Sequence, residues 1–105
     1  MTLLHAEKYE ELLAQLRFRP HALRLLVLRA LCTFTSYTDL DELVYTMNAS
    51  GAYAEKEKVR MILKRLNESG FLDRQAITGQ NKFLFRLKPY EEMYAEVQMR
   101  ISRHQ

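Results

Sequence analysis

The apolar positions keep a helical period for most of the chain and then switch. From residue 3 to residue 17, Leu3, Ala6, Tyr9, Leu13 and Leu16, with Leu12 beside them, hold helical spacing while Glu7, Lys8, Glu10 and Glu11 face away. Pro20 is expected at the start of a second helix, where a missing N–H costs nothing. Between Ala22 and Cys32 the only charged residues are Arg24 and Arg29. A helix apolar nearly all round belongs in the middle of a core. Thr33 to Tyr37 is short and β-prone. A third helix opens behind Thr38 or Asp39 as its cap, with Asp39, Asp41 and Glu42 at the positive end of its dipole, a structural rather than a catalytic task. Leu40, Leu43, Val44 and Met47 form its buried stripe, and Asn48-Ala49-Ser50-Gly51 ends it.

A fourth helix is predicted from Glu55 to Glu68. Val59, Ile62, Leu63 and Leu66 give one buried face, and Ser69-Gly70 supplies the stop, with Gly70 suited to the left-handed position after the last turn. The period then falls to two. Phe71–Ile77 and Lys82–Leu87 read as strands joined by Thr78-Gly79-Gln80-Asn81, and Pro89 ends the hairpin. A last helix, residues 90–105, carries Tyr90, Met93, Tyr94, Val97 and Ile101 at seam-like spacing. The order predicts a mostly α chain with a small β-hairpin: a winged helix-turn-helix over residues 20–88, its wing near 71–87, extended by amphipathic N- and C-terminal helices. The whole, residues 1–105, is expected to be one domain.

Composition narrows the classes. With 48% hydrophobic and 28% charged residues the chain is ordinary globular material rather than a disordered one. Three Gly and two Pro suit long helices with few connections. One cysteine makes no internal disulfide, and Cys32, closing an apolar run, reads as a small buried hydrophobe. The N-terminal residues lack a signal peptide's apolar run, and no stretch approaches 18 consecutive apolar residues, so a cytoplasmic protein without membrane contact is expected. There is no Gly-rich phosphate loop, nucleophile elbow or His-Glu-x-x-His motif, and no small-molecule substrate or enzyme activity is expected. His5, His21 and His104 are scattered and lack ligand spacing with Cys32, so neither a metal nor another cofactor is expected.

The stretch Arg24-Leu25-Leu26-Val27-Leu28-Arg29-Ala30-Leu31 resembles the first winged-helix segment of the ferric uptake regulator family, an Arg followed by a Val-Leu…Ala-Leu pattern. Asp39 to Leu43 is similar to that family's Ser-Ala-Glu-Glu-Leu helix start, and the match runs ungapped through Gly51, Val59 and Leu63 to Ser69-Gly70. The resemblance covers residues 19 to 87, mostly core and turn positions, and it implies a DNA-binding domain without the family's metal-binding dimerisation domain. Two departures matter. The family's recognition helix usually carries Thr-Val-Tyr-Arg where this chain has Lys58-Val59-Arg60-Met61, and His21 replaces a Thr before the first core helix. The family's base readout therefore does not transfer.

Net charge is only +3, from 16 basic against 13 acidic residues, but ten of the basic ones are Arg, suited to forked contacts with phosphate and guanine. With the fourth helix in the major groove of double-stranded DNA, Lys56, Lys58 and Arg60 lie near its inserted end and Lys64 one turn on. Arg74 and Lys82 flank the wing, while Arg19 and Arg24 could grip the flanking backbone, although Arg24 in so apolar a helix could equally be structural. Glu57 and Glu68 share the helix face, which also fits an ordinary solvated surface. Phe71, Phe83 and Phe85 are expected on the core face of the wing rather than as a base-stacking platform. Met93, Tyr94, Val97 and Ile101 either pack on the domain itself or pair with a second copy in a homodimer. The expected function is a sequence-specific transcriptional regulator acting by operator occupancy. A winged helix serving protein–protein contact, and a purely structural dimer module, remain open beside it.

Overall fold

The computed structural model describes residues 2–103; the side chain of Leu3 and residues His104 and Gln105, which the periodicity places on the first and last helices, lie outside the described residues. The elements are α1 (Thr2–Gln15), α2 (Ala22–Leu31), α3 (Leu40–Ala49), α4 (Lys56–Glu68), β1 (Leu72–Ala76), β2 (Phe83–Leu87) and α5 (Tyr90–Arg103). They form a winged helix-turn-helix, mostly helical, with one antiparallel hairpin in which Leu72 faces Leu87 and Ala76 faces Phe83. No described helix is long and apolar enough to cross a membrane.

Helix α2 is central, packed against α1, α3, α4 and β2. Val27 and Leu28 are fully buried in it and meet a core that draws on Tyr9, Leu12 and Leu13 of α1, Leu43 and Met47 of α3, Val59 and Leu66 of α4, Phe71, and Met93 and Val97 of α5. Burying each large apolar side chain contributes roughly 1.5–3 kcal/mol before the entropy of ordering it is counted. Helix α2 starts two residues after Pro20, because His21 is the cap: its Nδ1 accepts the Arg24 N–H at 3.1 Å. Asp39 caps α3 as expected, accepting the Glu42 N–H at 2.8 Å. Gly70, at φ +83°, lets the chain turn from α4 into the wing. Helix α1 stops without a glycine: Arg17 takes φ 71°, and the N–H groups of Arg17 and Phe18 close onto the carbonyls of Ala14 and Leu13.

The β-prone stretch Thr33 to Tyr37 does not form a strand. Only Thr38 pairs, exchanging two 2.9 Å backbone bonds with Phe85, since the next residue must already cap α3. The terminal helices pack against each other. Tyr9 donates its hydroxyl to the Lys88 carbonyl at 2.5 Å, Gln98 donates to Gln15 at 2.7 Å, and Arg100 donates to the Ser69 carbonyl at the end of α4 at 2.8 Å.

Cys32 is half-buried, and burial pushes its thiol from the ordinary 9.0 up to about 11. Burial, the largest cause, also raises the Tyr9 hydroxyl, helped by Cys32, Glu91 and Tyr90. Both groups hold their protons more tightly folded than unfolded, so their contribution is complete below the ordinary thiol value and is lost as pH rises through the folded one. The urea midpoint is therefore expected to fall between about pH 9 and pH 11. The thiol is expected to react with a disulfide reagent about tenfold or more slowly in the native protein than in denaturant.

Candidate nucleic-acid interface

Period-four spacing puts Lys56, Arg60 and Lys64 on one edge of α4, beside its buried stripe, with Asn67 continuing the row. Period-two spacing puts Leu72 and Arg74 of β1 and Phe83 and Phe85 of β2 on one face of the wing. The two surfaces face each other across an open groove of about 500 Å³ that Asp39, Leu40 and Asp41 also line. Lys82 and Asn81, from the wing tip, complete it. Five cations thus share the groove with two carboxylates.

Those carboxylates are engaged. Asp39 is spent on the α3 cap, and Asp41 meets Lys56 Nζ at 2.6 Å. The hydrogen bond from Lys56, then its charge, holds the Asp41 carboxyl below its ordinary value, with Lys82 adding a smaller pull. Arg60 grips Glu57 with two hydrogen bonds, of 3.0 and 2.5 Å, which lowers the Glu57 carboxyl and raises the guanidinium. Both pairs are exposed to water and weak enough to exchange for another anion. Among the described residues, Lys64, Arg74 and Lys82 have no carboxylate within 4.0 Å, although Arg74 lies over the Phe83 ring at 4.2 Å. Glu55, the residue before α4, makes no side-chain hydrogen bond that caps the helix.

Of the eight residues expected at DNA, the structure gathers Lys56, Arg60, Lys64, Arg74 and Lys82 in this groove. Lys58 is exposed but on the other edge of α4, 3.8 Å from Glu55. Arg19 is exposed in the α1–α2 connection. Arg24 corrects the expectation that it grips a backbone: it is buried, bound to Glu10 at 2.6 and 3.2 Å and to the Arg19 carbonyl at 2.8 Å, so its donors face inward.

Two of the four dimerisation candidates are corrected in the same way. Met93 and Val97 have no exposed surface and belong to this chain's own core, because α1 covers that stripe of α5. Tyr94, 47% exposed, and half-buried Ile101 remain at the edge. A third correction concerns Phe83. Phe71 and Phe85 are buried as expected, but Phe83 is 46% exposed, because the hairpin runs out past the helices that cover its base. Asn67 and Asn81 also line the groove; the sequence places Asn81 only in the turn of the hairpin, and nothing in it distinguishes either from an ordinary surface amide. Among the described residues no group of three or more His, Cys, Asp or Glu side chains is placed to hold a metal ion.

No protein-family model matches the chain, and no curated protein matches its sequence. Among solved structures the chain is similar to PerR from Streptococcus pyogenes, described for peroxide sensing and gene regulation, with a TM-score of 0.67 at 17% identity over 78% of this chain and 56% of that one. It is equally similar to a structure described as GAS PerR-Zn-Zn, with a TM-score of 0.67 at 17% identity over 78% of this chain and 52% of the other. The chain therefore spans little more than half the length of these neighbours. At such identity the likeness establishes the winged-helix fold.

Proposed function

We propose that this chain is a transcriptional regulator, not an enzyme, that works in the cytoplasm by occupying specific operator sites on double-stranded DNA. The observation that carries the reading is the convergence of five cations from two separate elements on one groove, three of them free of carboxylates among the described residues. Surface cations on a solvated helix have no reason to be met by others across a gap. On this reading α4 enters the major groove, the wing rests on the neighbouring backbone, and Lys58 reaches phosphate from the far edge of α4. The fold it shares with PerR, a protein described for gene regulation, supports the reading.

Fluorescence anisotropy on a random duplex, repeated from about 50 to 200 mM salt, tests it. Micromolar binding with a log–log slope equivalent to roughly three or more phosphates is the expected result. Absence of binding at the lowest salt would overturn it in favour of a protein-contact module.

Glu57 is the residue most at odds with a phosphate surface, since it faces outward on α4 and holds Arg60. Replacing it as Glu57→Gln removes that charge and releases the guanidinium. Duplex affinity is expected to rise severalfold, with the salt slope steeper by up to about one phosphate.

A two-fold operator needs two copies, and we assign the pairing to the exposed edge of α5 around Tyr94 and Ile101. Light scattering at tens of micromolar should then find a dimer that Tyr94→Glu converts to a monomer. A monomeric wild-type protein removes the homodimer from the proposal.

A further inference from the structure

The groove contains more apolar surface than a phosphate backbone can use. Its base is Leu63, Leu72 and Phe85, and its outer lip is the half-exposed ring of Phe83. A B-form duplex, with two strands and their stacked pairs, is too bulky to enter a space of about 500 Å³ and would ride over the rim. A single strand can enter. The volume lies within the roughly 300–1,000 Å³ of sites that hold small organic groups.

The ring is also prepared. Arg74 sits diagonally across the hairpin from Phe83 and its guanidinium lies over the ring, 4.2 Å from the centroid, so that it covers one face and charges the surroundings of the other. An aromatic platform at the edge of a cationic groove is the arrangement that binds unpaired nucleotides, because each base offers a π-face that a paired, stacked duplex hides. The two carboxylates that line the groove, Asp39 and Asp41, are occupied by the α3 cap and by Lys56.

We infer that the groove between α4 and the wing takes a segment of single-stranded nucleic acid, with one base stacked on Phe83 beside Arg74 and the adjoining phosphates on Lys64 and Lys82. This rests on the groove being a nucleic-acid site and adds to it a second form of nucleic acid, an unpaired or locally opened strand. The regulator would then sense whether its DNA is melted as well as where it sits.

The test compares three fluorescein-labelled probes on the full chain: a dT12 strand, an abasic strand of the same length and charge, and a random duplex. The wild-type protein is expected to bind dT12 at least about fivefold more tightly than the abasic strand. Phe83→Ala should lower dT12 affinity by roughly 5- to 100-fold and lower abasic-strand affinity far less. The chain has no tryptophan, so Phe83→Trp adds a single indole whose fluorescence should be quenched as dT12 saturates it. Equal binding of dT12 and abasic strands, full dT12 affinity in Phe83→Ala, or an indole unaffected by saturating dT12 would each overturn the inference. If the duplex still binds with a steep salt slope in those cases, the regulator reading stands alone. If neither duplex nor dT12 binds, both fall.

Discussion

Reversing the three unpaired groove cations together, as Lys64→Glu, Arg74→Glu and Lys82→Glu, is expected to reduce duplex affinity by at least about 100-fold at moderate salt and to flatten its salt dependence by roughly 2.7 log units per log unit, about 0.9 for each phosphate no longer neutralised. The size follows from where these side chains stand. Lys64 comes from α4 and the other two from the wing, so their replacement puts repulsive charge on both walls of the groove at once. None of the three has a carboxylate partner among the described residues, so no ion pair has to be rebuilt when they change. All three are exposed, and the thermal midpoint should move little, which separates a binding defect from a folding defect. Lys8→Glu on α1, which changes net charge without touching the groove, serves as the control and should cost only a small part of that affinity. The triple variant changes net charge three times as much as the control, so a control effect of about one third of the triple variant's, in log affinity, would mean that binding follows net charge, and the groove would lose its special place.

Much of this architecture can be read from periodicity. The fall from a period of 3.6 to a period of two after Gly70 marks the wing, and Asp39 followed by an apolar stripe marks α3, because both signals are local. The misreadings share one cause, which is that a stripe reports an apolar face but not what lies against it. Met93 and Val97 at i, i+4 would suit a second copy as well as they suit α1; only the path of the chain brings α1 back over them. Phe83 alternates correctly with Phe85, yet alternation does not say how far along a strand the helices continue to cover it. Thr33 to Tyr37 has strand propensity with no space to use it, since the cap at Asp39 leaves Thr38 as the single pairing residue. The spacing of Lys56, Arg60 and Lys64 is visible in the sequence as one helix edge. That this edge faces the wing, while Lys58 does not, depends on how α4 rolls against α2 and β1.

The clearest case of hidden partnership also carries the largest expected loss of stability. Arg24 and Glu10 are 14 residues apart on two helices, with side chains only 9% and 17% exposed, and they meet through two hydrogen bonds while a third ties the guanidinium to the Arg19 carbonyl. Glu10→Ala would leave a buried guanidinium with that carbonyl as its remaining hydrogen-bond partner. The expected cost is about 3–5 kcal/mol, as for other buried pairs broken on one side. For a chain of this size that is a fall of roughly 15–30 °C in thermal midpoint, and a large part of a total stability of about 5–15 kcal/mol. Replacing both partners at once, as Arg24→Met with Glu10→Leu, removes the stranded charge along with the pair and should recover most of the loss, because desolvating two ions offsets much of their attraction. Phe18, whose ring lies 5.6 Å from the Arg24 guanidinium, gives the new apolar side chain a surface to pack on. The double variant also decides what Arg24 is for. A residue whose donors are consumed inside the fold leaves duplex affinity untouched when it is exchanged for a well-packed apolar side chain, whereas a residue that turns outward to phosphate lowers affinity and salt slope together. Anisotropy on the folded double variant should give the first result, with the same slope as the wild-type protein.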